Sequence, residues 1–264
     1  MDLQMTGKVV FQTGAGGRLG RAIALAFARE GAKVAVVDVN AQAAAATVAA
    51  LVATGSEAVA VVGDVTRKAD VERMLEEATK ALGPVDVLVN GHGIFPNIPM
   101  LETTVEEWDQ IFAINTRGTM LTCQAVAKQM IARGAQGAIV NVSSGAATSA
   151  RIGGAGYCGS KAAVNLLTHA FAIEVGPHGI RVNAVAPGLI MDTVLRPGDE
   201  HAAGYVNMML ESTPMRRTGA PEDIAEAILF LAAERNSWVT GSILEVTGGS
   251  HCGRPHVPLS RNLR

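Results

Sequence analysis

Short runs rich in β-branched residues alternate along the chain with longer amphipathic segments rich in Ala and Leu. Most of the short runs are almost continuously apolar, which is typical of strands that are buried on both faces of a parallel sheet. The predicted strands are residues 8–13, 33–39, 57–62, 85–90, 138–142, 181–186 and 243–246, and the predicted helices are residues 18–30, 41–53, 68–82, 105–133, 156–175 and 221–233. This alternation predicts an α/β fold, a doubly wound parallel sheet between two layers of helices.

Composition narrows the class of protein further. The chain has 264 residues, of which 48% are hydrophobic and 17% charged, so it can bury one sizeable core. Because no linker-like or repeated segment divides it, we predict one domain over residues 1–250, with an irregular insertion at about 189–218 and a C-terminal tail at 251–264. The formal net charge of −2 offers no basic footprint for nucleic acid.

Cysteine usage and the first residues of the chain indicate a compartment. The three cysteines, Cys123, Cys158 and Cys252, lack metal-ligand spacing, so we expect no metal site, no disulfide framework and a reducing environment. The first residues lack the basic and apolar regions of a signal peptide, and no segment has the character of a membrane span. We therefore expect a cytoplasmic protein without membrane contact.

A glycine-rich segment follows the first predicted strand and leads into a helix. It reads Thr13-Gly14-Ala15-Gly16-Gly17-Arg18-Leu19-Gly20. Glycines allow a sharp turn and a close approach of backbone N–H groups to a phosphate, and the helix N-terminus adds partial positive charge. The spacing departs from G-x-G-x-x-G, because Leu19 stands where the last glycine would be. An ordinary glycine-rich turn is the alternative interpretation.

Polar residues follow the next three predicted strands, at the edge where open α/β sheets bind ligands. Asp38 ends the second strand, where a carboxylate can bind the adenosine ribose hydroxyls and repel a 2′-phosphate. This favours NAD, although the nearby Arg18 could accept the 2′-phosphate of NADP. The alternative is an aspartate that caps the following helix. The residues expected to contact adenine or ribose, unless they are plain turn residues, are Asp64, Val65, Asn90 and Gly91.

A tyrosine and a lysine lie four residues apart in a predicted helix, so they share one face. The ammonium of Lys161 is expected to lower the pKa of the Tyr157 phenol towards the range that general acid–base catalysis requires. Ser144 ends the fifth strand at the same edge and could hold a substrate oxygen, with its neighbour Ser143 as the competing residue. Asn115 lies inside the helix predicted at 105–133, where Asn is a poor helix former whose amide could bind a water or kink the backbone.

Together these segments resemble the short-chain dehydrogenase/reductase family, in its short single-domain branch. The resemblance extends from Thr6 to Gly249 and rests on TGAGGRLG, Asp38, DV at 64–65, NGHG at 90–93, Asn115, Ser144, YCGSK at 157–161, NAVAPG at 183–188 and the segment that begins PEDIA at 221. It implies a Rossmann-type fold, a nicotinamide cofactor and a catalytic tetrad of Asn115, Ser144, Tyr157 and Lys161.

The resemblance also implies a role for each residue. Tyr157 would exchange a proton with the substrate oxygen, and Lys161 would hold the nicotinamide ribose and lower the tyrosine pKa. Ser144 would position the carbonyl, and Asn115 would keep a water in a proton relay. The residues implied to lie near the nicotinamide are Pro187, Gly188, Ile190 and Thr193.

Three departures from the family pattern bear on these roles. Arg18 replaces the second loop glycine, as in the pteridine-reductase branch, whose members use NADPH. His92 replaces the alanine of the family's N-A-G motif and brings a bulky ring near the cofactor. The segment that follows Pro187-Gly188 is one residue longer than the family's, which affects the role assigned to Thr193.

The predicted function is an NAD-dependent oxidoreductase that interconverts a secondary alcohol and a ketone in a mainly apolar pocket. The predicted substrate contacts are Ser144, Tyr157, His92, Arg151, Met191 and Tyr205, and residues 202–210 could form a lid helix. The alternatives are an NADPH-dependent ketone, pteridine-type or 3-oxoacyl reductase and a non-catalytic dinucleotide-binding protein. The segments 105–133 and 156–175 resemble the interface helices of family homotetramers.

Overall fold

The sheet of the computed structural model contains seven parallel strands, and the structure describes residues 3–191 and 200–253, without the side chains of residues 200–203 and 205. The strands are β1 (Val9–Thr13), β2 (Lys33–Asp38), β3 (Ala58–Val62), β4 (Val87–Asn90), β5 (Gly137–Val142), β6 (Ile180–Pro187) and β7 (Ile243–Val246). Their order is β3-β2-β1-β4-β5-β6-β7, and every neighbouring pair is parallel. The predicted Rossmann-type, doubly wound sheet is confirmed.

Helices cover both faces of the sheet. They are α1 (Arg18–Arg29), α2 (Ala41–Val52), α3 (Lys68–Leu82), α4 (Val105–Phe112), α5 (Thr119–Ala132), α6 (Ala155–Val175), α7 (Glu200–Glu211) and α8 (Pro221–Ala232). One buried cluster joins the sheet to α1, α2 and α8, and a second joins its other face to α3, α5 and α6. The three-layer α/β/α architecture is therefore confirmed, and the near-continuous apolar strands follow from burial on both sides.

The order in which successive strands are added to the sheet reverses between β1 and β4, two parallel neighbours inside the sheet. β1 leads by way of α1 to β2 on one side, whereas β4 leads to β5 on the other. The loops that follow β1 and β4 therefore diverge and leave a crevice at the carboxyl edge of the sheet. The residues at these strand ends are the ones that the sequence singled out.

The helix predicted at 105–133 is not continuous. α4 ends at Phe112, a π-helical turn occupies Ala113–Gly118, and α5 begins at Thr119. The prediction of one helix was wrong because Asn115 turns its amide to the backbone of Ile94. Gly118 also permits a close approach, since a Cβ on it would lie 2.9 Å from both His92 Nε2 and Val65 Cγ2.

The insertion before the last helix contains α7, which includes the helix expected at 202–210. Before it, Ile190 forms a parallel bridge with Gly219, and Met191 N donates to Gly219 O at 3.2 Å. This pairing joins the two ends of the insertion to each other beside the carboxyl end of β6.

A layer of buried polar side chains lies beneath the carboxyl ends of the central strands. Asn90 donates from Nδ2 to Asn141 Oδ1 at 2.9 Å and accepts at Oδ1 from Thr122 at 2.7 Å. Asn141 in turn donates to Thr168 Oγ1 at 2.9 Å. These bonds tie β4 and β5 to α5 and α6, and so they hold the helices that carry the candidate catalytic residues in register with the sheet.

The His92 ring belongs to the same buried layer. Its Nδ1 lies 2.6 Å from Thr13 Oγ1, its Nε2 lies 3.5 Å from Thr119 Oγ1, and the residue is 9% exposed. Burial, followed by the positive charge of Lys161, lowers the pKa of His92 to about 3, while a hydrogen bond with the backbone of Ile114 opposes the shift. The ring is therefore neutral at physiological pH.

We expect this histidine to make the fold sensitive to acid. Below pH 6.5 the histidine binds a proton in the unfolded chain, whereas in the folded chain it stays neutral until about pH 3. The free energy of unfolding therefore decreases as the pH falls through this window, by up to about 1.4 kcal/mol per pH unit. Urea unfolding of His92→Asn at several pH values should show a smaller slope than the wild type. The matched control is His169→Asn, on an exposed position of α6, and equal slopes in all three proteins would contradict the prediction.

Candidate active site

The glycine loop folds tightly against the turn that follows β4. A Cβ on Gly20 would lie 2.1 Å from Gly14 O, and a Cβ on Gly14, whose φ is +65°, would lie 2.7 Å from the backbone of His92. Gly17 is the N-cap of α1 and has no side chain with which to bond the N–H groups of the first turn. The loop thus presents backbone donors and the positive end of a helix dipole at the sheet edge, as an anion requires.

The Asp38 carboxylate lies beside this loop. Its Oδ2 accepts from Gly16 N at 2.9 Å, and its Oδ1 accepts from Asn40 N at 2.9 Å. The helix-capping alternative fails, because Asn40 is the residue that caps α2 through Ala43 N. Asp38 therefore joins the end of β2 to the glycine loop and leaves a half-buried carboxylate between them.

The other residues predicted to contact the phosphates at the glycine loop, the adenine or the ribose differ in what their side chains contact. Asp64 accepts from Thr66 N at 2.8 Å and so builds the turn before α3. Asn90 uses its amide inside the fold, which leaves its backbone to face the crevice, and Gly91 N donates to Thr13 O at 3.1 Å. Leu19 packs against the core. Val65 reaches the π-helical turn near Gly118.

Arg18 extends away from the glycine loop towards the segment after β6. Its Nη2 donates to Ile190 O at 3.4 Å. Gly188 in the same segment donates from N to Val246 O at 2.9 Å, and a Cβ on it would lie 2.8 Å from Thr247 Cα. The segment from Pro187 to Met191 is thereby held along the rim of the crevice. Thr193 and the Tyr205 side chain lie outside the described residues.

Tyr157 lies in the first turn of α6, and Ser144 lies just beyond the end of β5. Hydrogen bonding by the Ser144 side chain lowers the pKa of Tyr157, and Ser144 Oγ accepts from Ala146 N at 3.1 Å. The competing serine, Ser143, is buried and donates to Asn165 Oδ1 instead. The two serines thus have different tasks: Ser144 faces the phenol, and Ser143 fastens β5 to α6.

The pKa of Tyr157 is raised, contrary to the expected lowering by Lys161. Burial of the half-buried phenol outweighs the hydrogen bond with Ser144 and the charge of Arg151, both of which lower the pKa. Lys161 contributes little because its ammonium turns to the sheet, where Nζ donates to Val142 O at 2.7 Å. Lys161 is 4% exposed, and its burial lowers its own pKa to about 8.

Asn115 joins the π-helical turn to the loop after β4 and to α6. Its amide pairs with Ile94 N and Ile94 O, each at 2.9 Å, and donates to Ser160 Oγ at 2.9 Å. A Cβ on Gly93 would lie 3.2 Å from Asn115 Oδ1 and 3.4 Å from Lys161 Nζ. The amide and the ammonium therefore border one small gap, which the missing side chain of Gly93 keeps open.

Gly93 and Ser160 also belong to the site, although neither was predicted as a site residue. Both lie inside motifs that carry the family resemblance, NGHG and YCGSK, and the two glycines that flank His92 were the available signal. His92, predicted to contact substrate, is enclosed by Thr13 and Thr119, so its ring supports the loop from below.

The described residues fit a nicotinamide dinucleotide. The glycine loop forms a cradle that any side chain at Gly14 or Gly20 would fill, a carboxylate stands beside it, and a buried ammonium lies at the far end of the same edge. In the described part of the chain, no three His, Cys, Asp or Glu side chains come together as a metal site would require. Within the same ranges, every helix is too short or too polar to traverse a lipid bilayer.

Comparisons with known proteins agree with this geometry. A family model described as Enoyl-(Acyl carrier protein) reductase matches residues 14–251. L-xylulose reductase of Mesocricetus auratus is 41% identical over 251 residues, which cover 94% of this chain and 98% of that protein. Sorbitol dehydrogenase of Cereibacter sphaeroides is 36% identical over 256 residues, with 94% and 99% covered.

Solved structures show the same relationship. The crystal structure of a short-chain type dehydrogenase/reductase from Mycobacterium marinum superposes with a TM-score of 0.87 at 34% identity, over 96% of this chain and 100% of that one. The motifs, the strand order and these similarities lead to one conclusion: the chain belongs to the short-chain dehydrogenase/reductase family of oxidoreductases.

Proposed function

We propose that this protein is an NAD-dependent oxidoreductase that interconverts a secondary alcohol and a ketone, with Tyr157 as general acid and base. The observation that carries the proposal is the cluster of Ser144, Tyr157 and buried Lys161 at the sheet edge that also holds the glycine loop. The names of the two sugar-alcohol relatives, a dehydrogenase and a reductase, support chemistry at a carbinol carbon.

The phenol performs the proton transfer of this reaction. The nicotinamide, when bound, supplies or accepts the hydride. As the phenolate, Tyr157 takes the hydroxyl proton of the alcohol in oxidation, and as the neutral phenol it gives a proton to the ketone oxygen in reduction. Ser144 already accepts from Ala146 N, so its own hydroxyl hydrogen is available to orient the substrate oxygen beside the phenol.

Lys161 is proposed to supply protons to the site. An ammonium has three donors, and one of them is used on Val142 O. The others can serve a ribose hydroxyl and the gap at Gly93 that leads to Asn115. Since burial sets the pKa of Lys161 at about 8, this group can release and regain a proton near neutral pH, which suits a relay to the phenol.

The cofactor is proposed to be NAD on account of Asp38. Its carboxylate stands where the adenosine ribose follows the glycine loop, and a 2′-phosphate there would meet a like charge. The position of Arg18 at the end of the glycine loop, as the first residue of α1, is the observation that favours the second candidate, an NADPH-dependent ketone, pteridine-type or 3-oxoacyl reductase. A non-catalytic dinucleotide-binding protein would have no use for the Ser144 and Tyr157 pair.

We further propose a cytoplasmic homotetramer that forms through α4, α5 and α6. Leu166 and Ile173 on α6 are 69% and 77% exposed, which favours a subunit contact on this face. The cysteines Cys123, Cys158 and Cys252 are free thiols, as suits a reducing compartment.

Removing the phenol oxygen tests the catalytic proposal. We expect Tyr157→Phe to lower kcat by about 10²- to 10⁴-fold, because proton transfer loses its donor and acceptor, while NADH affinity, measured by fluorescence titration, stays within threefold. Ser144→Ala should lower kcat as well, and its neighbour Ser143→Ala is the matched control that should retain turnover. A Tyr157→Phe protein that turns over secondary alcohols at the wild-type rate would refute the proposal.

Neutralising Asp38 tests the choice of cofactor. Asp38→Asn keeps an acceptor for Gly16 N but removes the charge that opposes a 2′-phosphate. The ratio of kcat/KM with NAD to kcat/KM with NADP should therefore fall about tenfold or more. Asp109→Asn, which makes the same charge change on the exposed face of α4, should leave the ratio unchanged. A wild-type preference for NADP would contradict the NAD assignment and favour the NADPH-dependent reductase.

A further inference from the structure

A cation lies over the ring of Tyr157, the proposed general acid and base. Arg151 Cζ stands over the Tyr157 ring at 5.2 Å from its centroid. The residue belongs to the segment between Ser144 and α6, and its backbone O accepts from Gly154 N at 3.1 Å. A Cβ on Gly154 would lie 2.6 Å from Arg151 Cγ, so a glycine is needed there for the side chain to fold over the ring.

The Arg151 guanidinium is exposed at the edge of the site. In the parts of the chain that the structure describes, it takes part in no ion pair and no hydrogen bond, whereas Arg29, Arg133 and Arg217 all have carboxylate partners. Among the same residues, the Lys161 ammonium is bonded to the Val142 carbonyl. Two cations without a described carboxylate partner therefore belong to this region of a chain whose net charge is −2, and such a positive region attracts anions.

Apolar groups border the cation on the side of the loop after β4. The Phe95 ring meets Tyr157 edge to face, with centroids 6.3 Å apart and an interplanar angle of 68°. Phe95 and Ile152 are 72% and 95% exposed at this mouth. The two loops that carry them are joined by the bond from Ile98 N to Gly153 O at 2.8 Å. A ligand here would meet a short apolar wall with one guanidinium at its end.

We propose that Arg151 is a substrate-binding residue that selects an alcohol or ketone bearing a carboxylate a few bonds from the reacting carbon, a short hydroxy acid or its keto acid. This inference rests on the proposed function, since it names the substrate class of the same site. A guanidinium presents parallel donors that match the two oxygens of a carboxylate, a pairing that a neutral polyol cannot reproduce. Because the Arg151 guanidinium lies over the Tyr157 ring, the group that would bind the carboxylate is close to the phenol that would exchange the proton.

The same cation affects the chemistry of the phenol. The charge of Arg151 lowers the pKa of Tyr157 against the effect of burial. Replacing it should therefore shift the pH profile of kcat to higher pH for every substrate, charged or neutral. Substrate selection is a separate readout, because only an anionic substrate loses a binding partner.

The test compares hydroxy acids with their isosteric amides, beginning with 3-hydroxybutanoate and 3-hydroxybutanamide and extending to the 2-, 4- and 5-hydroxy homologues. Reduction of NAD is followed by absorbance in the wild type, Arg151→Gln and Arg151→Lys. We expect the wild type to favour at least one acid over its amide, and Arg151→Gln to lower this acid-to-amide ratio of kcat/KM about 10- to 100-fold, mainly through KM. Arg151→Lys should restore part of it. Arg29→Gln, an equal charge change at a surface ion pair, should not alter the ratio.

A binding measurement separates the two proposals. Butanoate cannot be oxidised at the reacting position, so its binding to the NADH complex, measured by calorimetry, reports anion recognition without turnover. Turnover of alcohols with no acid preference, or a preference for neutral polyols, overturns the role of Arg151 and leaves the oxidoreductase proposal standing. If the wild type oxidises none of the alcohols but binds butanoate, and Arg151→Gln loses that binding, the anion site is supported and the proposed reaction is contradicted.

Discussion

The candidate site depends on a buried ammonium, that of Lys161, and on its hydrogen bond to the Val142 carbonyl. A charge removed from water is costly, and the protein offers it the Val142 carbonyl rather than a carboxylate. The cost appears as a pKa of about 8. A carboxylate partner would hold the proton more firmly. With a carbonyl as its partner among the described residues, the ammonium can release and regain a proton near neutral pH.

Polar groups beneath the crevice fix the positions of the groups above it. Asn90 and Asn141 bind each other between β4 and β5, and the neutral His92 ring lies between Thr13 and Thr119. These side chains bond one another and their neighbours inside the fold, and so they help to determine how β1, α5 and α6 lie relative to one another. A buried network of this kind stabilises one arrangement over its alternatives, because a displaced polar side chain would lose its hydrogen-bond partner where no water can replace it.

Much of the fold was predictable because its signals are local and repeated. All seven strands, and the helices other than the one at 105–133, lie where hydrophobic runs and amphipathic periods predict them. The π-helical turn was not predictable, because it depends on a contact between Asn115 and the distant Ile94. The direction of the Tyr157 pKa was likewise wrong, since the spacing of Tyr and Lys on a helix does not show that the ammonium faces the sheet or how deeply the phenol is buried. The arginine over the tyrosine ring depends on Gly154, a tertiary detail that a motif does not carry.

The wide turn at Ala113–Gly118 has a consequence for the chain register. A π turn holds one residue more than an α turn over the same axial length, so deleting a single residue there would restore an uninterrupted α-helix without rotating the residues beyond it. The buried face of α5, which includes Thr122, Val126 and Met130, would still face the sheet. What such a deletion would remove is the local widening that brings the Asn115 amide to the backbone of Ile94.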